Sequence, residues 1–235
     1  EEYNNNTDFD GTWGIFDGPF MRHFANTLNT KREPFFSTFF SLSSHPPYVL
    51  PKDYKQEHDK INILETIKYS DYAMRNFFNQ IKHKDWFKNT IFIITADHTS
   101  GVSYNEKYKN TIGRYTIPLI IFKGDSSLVG ENNTIVQQID IMPTILEEIG
   151  YSKPYLAFGK SMFSGESWAI SKLYNNYHFI TPEGVINNKL ENYPTFKNWG
   201  LKEETTSNIK YIELLKAIKQ DYNFRMKKNH LIYEN

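Results

Sequence analysis

Three near-continuous apolar runs stand out from the polar chain around them, and each has the length of a β-strand. The Phe-rich run ends in Ser44 and His45, and the second run ends in Asp97 and His98. Runs of this kind are typical of strands covered on both faces, as in parallel sheets. We therefore predict strands in PFFSTFFSLSSH (34–45), NTIFIITA (89–96) and TIPLIIF (116–122).

Helical spacing appears between and after these runs. Residues 60–82 repeat apolar positions at the helical period, which predicts a helix with a buried stripe of Ile63, Ile67, Tyr69, Met74, Phe77, Phe78 and Ile81. DIMPTILEEIG (140–150) predicts a second helix, with Asp140 as N-cap, Pro143 in the first turn and Gly150 as its stop. Residues 177–189 predict a β-hairpin, and residues 205–227 a final amphipathic helix.

The alternating order of strands and helices predicts an α/β fold. We expect an α/β/α sandwich with a mixed, mostly parallel central sheet, followed by the C-terminal β-hairpin and helix. The predicted domains are a core over 1–165 and a C-terminal subregion over 166–235. Because ligands bind beyond the carboxyl ends of strands in open α/β sheets, the rule selects Ser44-His45 and Asp97-His98 as candidate site positions.

Composition narrows the classes of function. Of 235 residues, 39% are hydrophobic and 16% aromatic, which is enough for a substantial core. Lys+Arg and Asp+Glu are both 27, so no overall basic charge points to nucleic acid. The absence of cysteine excludes disulfides, thiol catalysis and cysteine-ligated metals. The chain opens in a polar, Asn-rich segment without Met, so we expect it to be a piece of a longer protein.

Asp97 and His98 are the strongest chemical candidates. Neighbouring side chains within a strand point to opposite faces, but where the backbone turns at a strand end both can converge on one ion. A carboxylate with an imidazole suits zinc or manganese. The alternative is that Asp97 caps a loop and His98 bonds a backbone carbonyl.

His45 could contact an anion. A neutral imidazole there could donate to a phosphate or sulfate oxygen, or act as a general acid. The alternative is a histidine bonded into its loop. Trp13, which forms a cluster with Gly14 and Asp17 in GTWGIFDGPF, could line a pocket or anchor packing. Arg114 could pair with an anion or, more safely, with an acidic side chain. No role is assigned to the remaining histidines (23, 58, 83, 178 and 230), and the basic stretch RMKKNH is interpreted as a solvated helix face.

Five segments in order resemble the catalytic domain of the lipoteichoic acid synthase family, within the sulfatase and alkaline phosphatase superfamily. The resemblance covers roughly residues 11–165. The segments are WGIFDGPF, SLSSHPPY, TIFIITADHTSG, YTIPLIIF and QQIDIMPTILEEIG. It implies an α/β/α fold, a helix beginning within the first segment, and attack on a phosphate or sulfate ester through a covalent intermediate.

The resemblance also implies site residues. Asp97 and His98 fall on the family's metal-binding pair, and His45 falls on the histidine that faces the substrate's anionic group. The implied ion is Mn²⁺ or Mg²⁺, with Ca²⁺ or Zn²⁺ as alternatives. The family's nucleophilic Thr, an acidic metal ligand and a substrate-contacting Arg lie upstream of the WG segment, so no catalytic nucleophile is assigned here. The chain alone is therefore expected to be inactive and its metal site weak or empty.

These expectations define the partners and the setting. The predicted substrate is an anionic ester, with a lipid headgroup as one form, and self-association through a truncated face is also expected. The parent protein is expected to be membrane-anchored, on the extracytoplasmic face of a bacterial membrane. The resemblance favours phosphoglycerol transfer; the alternatives are sulfate ester hydrolysis, a non-catalytic binding domain that kept the fold, and a self-contained metalloprotein using Asp97, His98 and His45.

Overall fold

The computed structural model describes residues 3–102, 105–109, 112–173, 176–182, 184–187, 192–193 and 209–233. The chain divides into two compact units. The first consists of residues 1–95 with 118–129, and the second of residues 96–117 with 130–235. Within the described residues, no helix is both long and apolar enough to cross a membrane.

Two packed helices form the base of the first unit. Helix α1 (Asp17–Leu28) buries Met21, Ala25 and Leu28, which are spaced three and four residues apart and so share one face. Helix α2 (Ile63–Ile81) begins at Asn62, whose side chain accepts hydrogen bonds from two backbone N–H groups of the first turn. Aromatic side chains fill the space around the buried cluster of Ala25, Leu28, Ile81 and Trp86.

The buried face of α2 differs from the predicted stripe. Ile67 is 45% exposed, so its prediction as a core residue is wrong, while Glu65 and Thr66 are buried. Glu65 can be buried because its carboxylate accepts hydrogen bonds from the Glu57 N–H (3.0 Å) and from His58 Nδ1 (2.5 Å). Hydrophobic periodicity cannot detect a polar side chain whose hydrogen bonds are satisfied.

Two of the three predicted strands are present, but their pairing is not parallel. Strands β1 (Ile91–Thr95) and β2 (Leu119–Lys123) form an antiparallel pair in which Phe92 lies opposite Phe122, with ring centroids 4.9 Å apart. Both sheets of the described residues are antiparallel, so the expectation of a mostly parallel sheet is wrong for this part of the chain.

The predicted strand over 34–45 is absent. The segment keeps a partial inward and outward alternation, because Phe35 and Phe39 contact other aromatic rings while Phe36 and Phe40 are 83% and 61% exposed. A strand also needs a hydrogen-bonded neighbour, and none pairs with it among the described residues.

The second unit combines helix α3 (Ile141–Glu148) with an antiparallel sheet and a C-terminal helix. A 3₁₀-helix, Gln138–Asp140, precedes α3. As predicted, Asp140 is the N-cap residue of α3, although its side chain makes no capping bond to that helix. Gln137 is the N-cap of the 3₁₀-helix, and its N–H donates to Asp140 Oδ2 (3.0 Å). Gly150 has φ +68° after α3, which fits its predicted role as the helix stop.

The C-terminal sheet has the order β3 (Ala169–Leu173), β4 (Asn176–Thr181), β5 (Gly184–Asn187) and β6 (Asn192–Tyr193). Its two faces contribute to different clusters, with Ile180 on one and Phe179 on the other. Helix α4 (Ile209–Lys228) covers the Phe179 face through Leu215. The predicted hairpin and final helix are thus present, while residues 183, 188–189 and 205–208 of those predictions lie outside the described residues.

Candidate active site

Asp97 and His98 lie where the backbone turns away from β1, two and three residues beyond Thr95. The Asp97 carboxylate accepts a hydrogen bond from the His98 N–H through Oδ1 (2.9 Å), and its Oδ2 lies 3.7 Å from His98 Nε2. His98 Nδ1 lies 2.8 Å from the Thr99 carbonyl oxygen. A carbonyl oxygen only accepts, so Nδ1 carries a proton, and in the neutral ring Nε2 has its lone pair beside the carboxylate.

The geometry unites the two interpretations of this pair. Asp97 does cap its turn, and His98 does bond a backbone carbonyl, as the structural interpretation proposed. The same bonds leave one carboxylate oxygen and one imidazole nitrogen side by side. A hydrogen bond from the far ring nitrogen is the usual way in which a metal-binding histidine is oriented.

The pair offers two ligands to a divalent cation. Two atoms that each lie about 2.0–2.2 Å from one ion are at most about 4.4 Å apart, and the 3.7 Å separation satisfies that limit. Both side chains are exposed, so an ion could reach them. Among the described residues no further carboxylate or imidazole joins them to make a set of three.

One such set of three exists elsewhere in the described residues, formed by Glu57, His58 and Glu65. The Lys68 ammonium contacts both carboxylates, lying 3.4 Å from Glu65 Oε1. Two hydrogen bonds hold the pKa of Glu65 below its ordinary value: the one from the Glu57 N–H has the larger effect, and the one from His58 comes next. This cluster is a satisfied ion-pair network that ties the loop before α2 to the first turn of that helix.

Two contacts hold the turn after β1 in place. The side-chain amide of Gln138 donates to the carbonyl oxygens of Ala96 (2.9 Å) and Asp97 (3.0 Å). Thr99 Oγ1 donates to the Arg114 carbonyl oxygen at 2.6 Å. Sequence reasoning missed Gln138, although it lies within the QQIDIMPTIL segment that carried part of the resemblance.

The 3₁₀-helix that bears Gln138 is anchored by a buried ion pair. Asp140 is fully buried, and it accepts hydrogen bonds from the Lys160 N–H (2.9 Å) and from Lys160 Nζ (3.1 Å). Lys160 Nζ also donates to the Trp168 carbonyl oxygen (3.0 Å) and lies 4.4 Å from the centroid of the Trp168 ring. Each buried charge therefore has both an opposite charge and further polar or aromatic contacts.

His45 belongs to the first unit and is held by Trp13 and Pro46. The Pro46 carbonyl oxygen lies 2.7 Å from Trp13 Nε1 and 2.8 Å from His45 Nδ1, and the two ring centroids are 4.2 Å apart. Nδ1 is therefore the protonated nitrogen of neutral His45, and Nε2 is left as an acceptor. Donation from Nε2 to an anion thus requires the cationic imidazolium, which changes the predicted role of the neutral ring.

Trp13 and Asp17 have different roles. Trp13 is 52% exposed, so it packs against His45 at the surface and is not a core residue. Asp17 is buried and accepts hydrogen bonds from the Leu42 N–H (2.9 Å), the Ser43 N–H (3.2 Å) and Ser70 Oγ (2.7 Å). Asp17 therefore fixes the segment just before His45.

Two other sequence interpretations change. Arg114 is exposed, and its guanidinium forms no ion pair within the described part of the chain, so the expected structural pairing is not seen. His178, to which the sequence assigns no role, lies on β4 and is 3% exposed. Burial lowers the pKa of His178 below its ordinary value, because the charged form loses its hydration.

Comparison with known proteins supports the family resemblance of the sequence. A family model described as Sulfatase matches residues 1–151. Lipoteichoic acid synthase 1 of Bacillus subtilis (strain 168) is 27% identical over 218 residues, which cover 84% of this chain and 34% of that protein. Lipoteichoic acid synthase of Staphylococcus aureus (strain NCTC 8325 / PS 47) is 30% identical over 200 residues, covering 75% of this chain and 30% of that protein.

A solved structure shows the fold. The crystal structure of a protein in the alkaline phosphatase superfamily from Vibrio parahaemolyticus matches 98% of this chain and 59% of its own, with a TM-score of 0.79 and 24% identity. The predicted alkaline phosphatase-like α/β fold is confirmed, while the chain spans only about a third of the length of the two curated relatives. On the match over residues 1–151, the chain belongs to the sulfatase family, with lipoteichoic acid synthases among its relatives.

Proposed function

We propose that this chain is part of a metal-dependent enzyme that acts on phosphate or sulfate esters, and that its reaction is phosphoglycerol transfer of the lipoteichoic acid synthase type. The observation that carries the proposal is the Asp97–His98 pair, with Oδ2 and Nε2 3.7 Å apart and the Nε2 lone pair available. The family match and the similarity to two lipoteichoic acid synthases support it.

Asp97 and His98 would hold the metal through Oδ2 and Nε2. Mn²⁺ or Mg²⁺ fits the proposal best, with Ca²⁺ or Zn²⁺ as alternatives, and the bound ion would supply charge stabilisation to the oxygens of the ester. The turn bonded to Gln138 and Arg114 would keep the two ligands converged. The remaining ligands and the nucleophile are proposed to come from another part of a longer protein, so this chain alone would be inactive.

His45 would contact the anionic group of the substrate. Its Nδ1 is committed to the Pro46 carbonyl oxygen, so Nε2 is the nitrogen that faces a ligand. A nearby phosphate or sulfate stabilises the imidazolium form, which can then donate from Nε2 to an ester oxygen. Trp13 donates to the same carbonyl oxygen, and its ring packs against that of His45.

The proposed setting follows from the relatives. The substrate would be an anionic ester, with a lipid headgroup as the preferred form, and the parent protein would act at the extracytoplasmic face of a bacterial membrane. A second candidate is sulfate ester hydrolysis, which the description of the matching family model favours.

The test is an assay of the full reading frame that contains this chain, with Mn²⁺, on phosphatidylglycerol, an aryl phosphate and an aryl sulfate. We expect activity on phosphatidylglycerol that is abolished by Asp97→Ala or His98→Ala. His45→Ala should lower the rate by about 10–10²-fold, since a hydrogen bond to a charged group contributes about 1.5–3 kcal/mol. His83→Ala, at an exposed histidine, is the matched control.

Each alternative outcome has a meaning. Hydrolysis of the aryl sulfate alone would replace phosphoglycerol transfer by sulfatase activity. Absence of activity on all three esters would contradict the proposed reaction classes, and full activity of both Asp97→Ala and His98→Ala would contradict the assigned metal ligands.

A further inference from the structure

Gln138 makes an unusual contact with the turn that follows β1. One side-chain amide nitrogen donates to the carbonyl oxygens of two consecutive residues, Ala96 and Asp97, at 2.9 and 3.0 Å. A glutamine NH₂ group has two N–H bonds, so this contact uses both of its donors.

The contact selects one backbone conformation. In an extended strand, consecutive carbonyl groups point to opposite sides, so one amide nitrogen cannot reach both of them. The two carbonyl groups of Ala96 and Asp97 can share Gln138 only because the chain turns there. That turn also brings Asp97 Oδ2 to 3.7 Å from His98 Nε2, whereas neighbouring side chains of a straight strand diverge.

Gln138 itself is held firmly by its neighbours. Its 3₁₀-helix is anchored by Asp140, whose carboxylate is bonded to both the backbone and the side chain of Lys160. Gly159 packs so closely that a Cβ atom there would lie 2.2 Å from the Ile139 carbonyl oxygen. The amide group of Gln138 thus extends from a fixed backbone.

We propose that Gln138 is a positioning residue that holds Asp97 and His98 in the converged, metal-binding arrangement. Gln138 contacts the backbone beside the two ligands and acts through them. The proposal rests on the proposed function only for the identity of the metal ligands. The turn that Gln138 selects can be measured in this chain without any ester.

The experiment reads the His98 ring directly. In the ¹⁵N-labelled chain, long-range ¹H–¹⁵N spectra distinguish the Nδ1–H from the Nε2–H tautomer, and His98→Gln assigns the signal. We expect wild type to favour Nδ1–H, because Nδ1 donates to the Thr99 carbonyl oxygen. Gln138→Met, which keeps side-chain length and removes both donors, should shift His98 toward the Nε2–H tautomer.

Two further variants isolate positioning from general damage. Gln80→Met makes the same change at a glutamine whose amide donates to Asn26 Oδ1, and it should leave the His98 tautomer unchanged. Gln138→Lys restores N–H donors at the end of a long side chain, and it should retain the Nδ1–H tautomer. Loss of stability alone would not be reversed by Gln138→Lys.

A second measurement follows the metal. The Mn²⁺ concentration that half-broadens the His98 signals should rise about tenfold in Gln138→Met, the lower end of the range for groups that orient metal ligands. An unchanged tautomer and unchanged Mn²⁺ broadening in Gln138→Met would overturn the proposal. If the tautomer shifts but the full reading frame is inactive on all esters, the positioning role stands and the proposed function fails.

Discussion

Removal of the Lys160 ammonium is the sharpest test of how the second unit is held together. The substitution Lys160→Met keeps most of the side-chain volume and leaves Asp140, which is fully buried, without its charge partner. The carboxylate would retain two hydrogen bonds, from the N–H groups of Lys160 and Gln137. The Trp168 carbonyl oxygen and ring would also lose their contacts with Nζ.

The expected loss follows from the burial of the pair. Breaking a buried ion pair on one side costs about 3–5 kcal/mol, because an uncompensated charge stays in the interior. The two remaining backbone hydrogen bonds place Lys160→Met near the lower end, at about 3 kcal/mol. With a urea dependence of about 2 kcal/mol per molar, the unfolding midpoint of the second unit should fall by about 1.5 M.

The assay is urea unfolding of wild type and variant, followed by tryptophan fluorescence and circular dichroism. Lys172→Met is the matched control, since Lys172 is exposed and its Nζ lies 5.3 Å from the Tyr177 ring centroid without a buried carboxylate. That control should change the free energy of unfolding by less than about 0.5 kcal/mol. A loss in Lys160→Met no larger than in Lys172→Met would refute the argument.

A double variant separates the charge from the packing. Asp140→Asn combined with Lys160→Met removes both charges, so it should be less destabilised than the sum of the two single variants. Contacting residues show coupling of about 0.5–3 kcal/mol, and a buried pair belongs in the upper half of that range. Simple additivity would mean that Lys160 acts through its contacts with Trp168 rather than through Asp140.

Two further predictions concern the same unit. Because the pKa of His178 is lowered in the folded chain, the unfolded chain takes up a proton on acidification before the folded chain does. The free energy of unfolding should therefore fall as pH drops below about 6.5. In pH-resolved urea unfolding, His178→Asn should weaken this dependence, whereas His83→Asn should keep it. Gly159→Ala would place a Cβ atom 2.2 Å from the Ile139 carbonyl oxygen, so this variant should be less stable by about 1–3 kcal/mol in thermal unfolding. Gly101→Ala is the control, because a Cβ atom there would have nothing within 4 Å, and it should lose much less stability.

The helices were predictable because their signals are local. The helical repeat over 60–82 and the Gly150 stop correspond to α2 and to the end of α3. The composition of the buried face was not predictable in the same way. Glu65 is in the interior because the Glu57 N–H and His58, residues outside the helix, satisfy its carboxylate.

Strand partners and strand direction are long-range properties, and the apolar runs in the sequence contain no information about either. β1 and β2 have the composition expected of buried strands, yet that composition does not specify their antiparallel direction. The segment over 34–45 has Phe at alternating inward positions but lacks a paired neighbour in the described residues. Composition therefore predicts where the chain is apolar and extended, whereas hydrogen-bond pairing determines which of those segments are strands.

The site shows a corresponding division. That Asp97 and His98 end an apolar strand could be predicted from the sequence, and the structure places their facing atoms 3.7 Å apart. The reason that they converge could not be predicted, since it depends on an amide group 41 residues further along the chain. Nothing in the composition of QQID shows that Gln138, which is exposed, bonds two carbonyl groups.

The two competing interpretations of Asp97 and His98 are compatible with each other. The bond from His98 Nδ1 to the Thr99 carbonyl oxygen is what a purely structural histidine would make, and it is also what leaves Nε2 unprotonated for a cation. A histidine without that bond could present a proton to the ion instead of a lone pair. In this family member, the hydrogen bonds around Asp97 and His98 are therefore no argument against the proposed metal binding, because the proposed ligand geometry depends on them.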